Sequence, residues 1–303
     1  MGFAILIGLL GVGLFVGSLA GGAVWYGMTG RSLFNLEQDI QNPQYANAAR
    51  IMQMVSVFFM FFIPSLLVAR YMNRAPFRWL GYREGFSAKQ LVLVFVIMAV
   101  SLPMVSVLGE LNQAIPLPKR MVDIVNKMED NYNTQAQAMA TMRSFGEYVF
   151  AMVVMALFPA VFEETFFRGG MQQVLNAWFE KPLAAIIVTS ILFSAMHISW
   201  YGFLPRFALG MVLGLLFHYS RSIWLNIIAH FLHNGLAVTY MYWLTVHNKP
   251  IKDVTEENTP IWWGIPAILA VIMLVRYFQL VSARRQFDKI PPMDGPSIES
   301  NLA

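Results

Sequence analysis

An all-α, polytopic membrane helix bundle is the fold class this sequence predicts, on three observations. The 303-residue chain is 57% hydrophobic and only 13% charged. Its mean hydropathy is +0.54, outside the range of a soluble domain. Its apolar residues gather into about eight runs, most of them near the ~20-residue length at which a helix crosses a bilayer.

The runs cover residues 4–28, 50–71, 90–110, 147–179, 183–200, 203–219, 222–244 and 261–281. The first is expected to be retained as a helix, because no basic residue precedes Arg31 and the run is too long for a signal peptide's apolar region. Its Gly13, Gly17 and Gly21, spaced by four, would let a second helix approach closely. The segment from Leu111 to Gly146 is too polar to span and is expected to lie partly along the interface. These runs make one transmembrane domain over residues 1–290, followed by a proline-containing tail, 291–303, expected to be disordered and cytoplasmic.

Orientation follows from charge. Arg70, Arg74, Arg78, Arg83 and Lys89 share their loop with one acid, Glu84, so that loop should be cytoplasmic. Threading eight helices from there places both termini inside. Lys181, Arg221 and Arg284 fall on the same side, and the acid-bearing stretches Asp123–Asp130 and Asp253–Glu257 fall outside. The net charge of +4 sits at segment ends, where topology accounts for it, and implies no nucleic-acid partner. With no cysteine in the chain, disulfides, thiolate metal sites and a cysteine nucleophile are excluded.

Function is written in the polar residues that interrupt the apolar runs. Glu163, Glu164, His197, His230 and Asn234 all fall at expected membrane depth, where ionisable groups are costly and mark function. If the fourth and fifth helices turn at Glu180-Lys181-Pro182, reflection of Glu163 about the turn lands on His197. Two further reflections, near residue 202 and at Arg221, land on Asn234, and His230 lies one turn away on the same face. A carboxylate, two imidazoles and an amide thus converge on one layer.

Within the acidic pair, Glu164 and Arg168 are four apart and can form an ion pair. Adjacent residues point about 100° apart, which leaves Glu163 free for general-base work. A purely structural alternative has the Glu-Arg pair orienting helices and His230 and Asn234 making interhelical hydrogen bonds. Phe193, one turn before His197, should help to seal the site.

These residues carry a resemblance. Glu-Glu-x-x-x-Arg at 163–168, Phe-x-x-x-His at 193–197 and His-x-x-x-Asn at 230–234, in that order on a multi-helix chain, resemble the CAAX protease and bacteriocin-processing family, the Abi or type II CAAX prenyl endopeptidases. The resemblance covers a motif-bearing core of about 147–240. It implies an intramembrane glutamate-dependent endopeptidase that cleaves membrane-associated, possibly prenylated, peptides near their carboxyl ends. By that analogy Glu163 and His197 activate a water, and His230 and Asn234 stabilise the oxyanion. No cofactor is implied.

A catalytic zinc on Glu163, His197 and His230 is a chemically acceptable alternative, although no His-Glu-x-x-His run is present. A Gly-x-Ser-x-Gly elbow and an intramembrane aspartate pair are also missing. Two further classes remain open from sequence: a proton-coupled transporter, whose polar pattern should recur in the first three helices and does not, and a non-catalytic scaffold or immunity protein.

Overall fold

The computed structural model describes residues 2–82, 84–249 and 260–288. The expected tail at 291–303 and the acidic loop Asp253–Glu257 lie outside the described residues.

Every described element is helical. The main helices are α1 (Gly2–Thr29), α2 (Pro43–Met72), α3 (Ala88–Gln113), α4 (Lys119–Ala140), α5 (Phe145–Phe179), α6 (Pro182–Ala195), α7 (Phe203–Ser220), α8 (Ile223–Val246) and α9 (Gly264–Asp288). All eight expected runs are helical, but the count of eight spans is not reproduced. Six of the helices are long and apolar enough to cross a membrane. Helix α6 has only 14 residues. Helix α8, though 24 residues long, is not among the six: Asn226, His230, His233 and Asn234 interrupt its apolar run.

Two apolar clusters organise the bundle. One is built by α3, α7, α8 and α9 around Ile97, Leu213, Leu216 and Phe278. The other joins α1, α2, α5 and α6 around Leu6, Phe61, Phe166 and Phe167. A third set, Ala160, Phe217, Ile223 and Ile227, stitches α5 to α7 and α8 where the two meet. The polar residues sit at this seam.

The glycine stripe on α1 faces α2. A Cβ at Gly13 would stand 2.5 Å from the Phe59 carbonyl oxygen, and one at Gly17 would stand 2.6 Å from that of Ser56. Larger residues cannot occupy either position without separating the helices.

Two expectations about segment ends change. Leu111 to Gln113 are the last residues of α3, and the polar stretch beyond forms α4, a 22-residue helix packed against α2 and α8. The fifth run stops at Ala195 rather than at residue 200, so His197 lies in the connection to α7 and not on a helix. Tertiary hydrogen bonds replace the helical ones there. Asn112 binds the Trp200 carbonyl and the Leu204 amide at 2.8 and 2.7 Å. Glu129 of α4 accepts from Ser199 Oγ at 3.1 Å and from the Tyr201 amide at 3.0 Å. Ile198 is held at φ +50°, a strained conformation for a β-branched residue that persists only under such anchoring.

Candidate active site

Helix α5 is not a uniform α-helix. Its backbone widens into π turns at Met152–Leu157 and again at Thr165–Gln172, with the regular stretch Phe158–Glu164 between them. π segments break the regular stacking of side chains and cluster at functional sites. The second is held by contacts on its flank. The Thr165 hydroxyl lies 2.5 Å from that of Tyr82, and the Gln173 amide donates to the Trp79 carbonyl.

Glu163 and Glu164 emerge beside that widening and point to different environments. Glu164 is fully buried, as is Arg168. One carboxylate oxygen, Oε1, accepts from Arg168 Nη1 at 2.6 Å and from His230 Nδ1 at 2.8 Å; the other accepts from Asn226 Nδ2 at 3.2 Å. The guanidinium also donates to the Gly210 carbonyl at 3.3 Å and lies 4.6 Å from the Phe193 ring centroid. A buried charge requires this density of partners.

Glu163 has no such set. Its Oε2 is buried and has no hydrogen-bond partner among the described residues; the nearest cationic candidate is His230 Nε2, 3.9 Å away. The carboxylate lines a cavity of about 470 Å³. His197 and Asn234 line the same cavity, together with Tyr132 and Gln135 of α4. Much of the remaining wall is apolar, including Met54, Met60, Phe61 and Met155.

His230 does not line this cavity, contrary to expectation. It stands behind Glu163, 5% exposed, because its ring is drawn back to Glu164. Both imidazoles have a tautomer assigned by their partners. His197 Nδ1 lies 2.9 Å from the Phe193 carbonyl oxygen and His230 Nδ1 faces a carboxylate, so each carries its proton on Nδ1. Each neutral ring then offers a lone pair at Nε2. Phe193 is buried between them, with its ring centroid 5.1 Å from that of His197 and 5.9 Å from that of His230. It is an internal spacer rather than a seal against lipid.

Sequence reasoning missed Asn226 and the α4 wall. Asn226 had a signal: with His230 and Asn234 it forms a stripe at four-residue spacing on α8. Helix α4 had none, since its apolar side chains do not make a spanning run. Among the described residues, no three His, Cys, Asp or Glu side chains are grouped so as to hold a metal ion.

No curated protein and no solved structure matches the chain significantly. One protein family does. Residues 145–236, which include α5 through the Asn234 turn of α8, match the Rce1-like family, described as type II CAAX prenyl endopeptidase Rce1-like. The matched segment contains all three motifs. This is an integral membrane protein whose site-bearing segment is similar to the Rce1-like prenyl endopeptidases, a match that implies a membrane-embedded protease.

Proposed function

We propose that the chain is an intramembrane glutamate-dependent endopeptidase in which Glu163 is the general base. One observation carries the reading. Of two adjacent carboxylates at the same depth, Glu164 is saturated with donors, whereas Glu163 presents a buried, unpartnered oxygen at the wall of a cavity. Structural carboxylates are satisfied and catalytic bases are held ready.

In this mechanism a water bound between Glu163 and His197 Nε2 loses its proton to the carboxylate as its oxygen attacks the scissile carbonyl carbon. The resulting oxyanion is met by the Asn234 amide, which needs no protonation change to donate. His230 stands behind Glu163 with its Nδ1 on Glu164, and holds that carboxylate in place rather than meeting the oxyanion. Glu163 then returns its proton to the leaving amine. Preorganised donors of this kind supply the largest part of such rate accelerations.

The donor set supports a water held by side chains rather than by zinc, since Glu163, His197 and His230 are not grouped as ligands. The methionine-rich, largely apolar walls suit a lipid-modified peptide, because thioethers adapt to irregular apolar shapes. A prenylated peptide with its scissile bond near the carboxyl end is the proposed substrate.

Mass spectrometry of membrane peptides from cells carrying wild-type or Glu163→Gln protein tests the assignment. The amide keeps the shape of the side chain but cannot take the proton, so carboxyl-terminal truncation products should disappear while peptide binding persists. Unchanged truncation products with folded Glu163→Gln protein would overturn it.

A further inference from the structure

Of Glu163, His197 and Asn234, only His197 lies off a helix. From the helix side its position is held by short-range bonds: its amide donates to the Ser194 carbonyl at 3.3 Å, and its Nδ1 lies 2.9 Å from the Phe193 carbonyl oxygen. On the other side the chain turns away at once through Ile198, at φ +50°. A β-branched residue keeps that conformation only when the surroundings hold it there.

The hold comes from α4. Glu129 is 6% exposed and uses both carboxylate oxygens on the loop, Oε2 accepting from Ser199 Oγ at 3.1 Å and Oε1 from the Tyr201 amide at 3.0 Å. The charge of the acceptor strengthens both bonds. Two neighbours reinforce them: the Tyr201 hydroxyl donates to Asn126 Oδ1 at 3.0 Å, and Arg206 Nη2 donates to the Ser199 carbonyl at 3.2 Å. Asn112 holds Trp200 and Leu204, farther along the chain from His197. The face of α4 that carries the clamp also walls the candidate active site. Tyr132, Gln135, Ala136 and Met139 line the cavity, and with Glu129 they recur at three- and four-residue spacing, which puts them on one side of the helix.

We infer that Glu129 is a positioning residue for the proposed peptide hydrolysis: by clamping Ser199 and Tyr201 it fixes the loop that carries His197, and with it the point at which the imidazole holds the attacking water beside Glu163. The inference rests on the roles proposed for Glu163 and His197. Glu129 acts through the loop and is not among the residues lining the cavity. Its leverage is geometric, since displacing a group that orients a reactant by about 1 Å can cost about 10²-fold in rate.

Hydrolysis of an internally quenched farnesylated CAAX peptide by the purified full chain, with kcat referred to the folded, monodisperse fraction, tests the role. Glu129→Ala should lower kcat by about 10- to 100-fold and leave KM within about twofold, because His197 acts on the water and not on the peptide. Glu129→Gln should restore kcat to within about threefold of wild type, since its carbonyl oxygen can accept from the Tyr201 amide while its NH₂ group donates to Ser199 Oγ. Ser199→Ala removes one of the two bonds without altering α4 and should lower kcat in the same direction by a smaller factor. A carboxylate with a merely structural role would change the folded fraction and leave kcat as it is. With Glu163→Gln inactive in the same assay, the inference is overturned by an unchanged kcat in Glu129→Ala, or in Ser199→Ala if Glu129→Ala does not fold, by a loss confined to KM, or by a Glu129→Gln protein as slow as Glu129→Ala. Full hydrolysis by Glu163→Gln would instead overturn the general-base reading, and this inference with it.

Discussion

Removing Glu164 should destabilise the protein more than removing Arg168, although the two form one ion pair. In Glu164→Leu, Arg168 Nη1 loses the carboxylate oxygen that accepts from it at 2.6 Å. The guanidinium keeps one 3.3 Å bond to the Gly210 carbonyl and the face of Phe193, and it cannot shed its charge. Breaking a buried pair in this way costs about 3–5 kcal/mol. In Arg168→Met, Glu164 still accepts from His230 at 2.8 Å and Asn226 at 3.2 Å, and a carboxylate can also take up a proton. Hydrogen bonds to a charged group are worth about 1.5–3 kcal/mol each, so retaining two should limit the loss to about 2 kcal/mol. Unfolding of the purified variants in mixed micelles, followed by tryptophan fluorescence, measures the difference directly. Equal losses for the two substitutions, or a larger loss for Arg168→Met, would refute the assignment of Glu164 as the hub.

The proposed mechanism predicts that Asn234→Ala lowers peptide hydrolysis by roughly 10²–10³ with substrate binding little changed, as loss of one oxyanion donor does; a loss as complete as that of Glu163→Gln would mean that Asn234 does more than donate one bond. Hydrolysis by purified protein should survive strong chelators. Loss on chelation that added zinc restores would instead make Glu163 a metal ligand. The charge asymmetry predicts that a cysteine at exposed Arg74, introduced into this cysteine-free chain, reacts with an impermeant thiol probe only from the cytoplasmic side. Labelling from outside would reverse the proposed topology.

Much of this protein is legible from residue type and spacing alone. Hydropathy determines the class, because a bilayer admits only helices or closed barrels and the apolar runs have helical length. Four-residue spacing determines that Glu164 meets Arg168 and that Gly13 and Gly17 share a face, since both follow from the period of a helix. The reflection argument brings Glu163 level with Asn234, with His230 one turn away, because helical hairpins preserve depth, and the turns at Glu180 and Arg221 do fall where it needs them.

What sequence cannot supply is direction around and between helices. Two glutamates one residue apart are equivalent in a motif, and only the packing of α8 against α5 gives Glu164 its donors and leaves Glu163 open. His197 leaves its helix because Asn112 and Glu129, distant in the chain, satisfy the loop's backbone groups. Helix α4 becomes a wall of the cavity through side chains that no spanning pattern selects. Each of these depends on a long-range contact whose free energy appears only once the bundle has closed, so no local pattern in the chain records it.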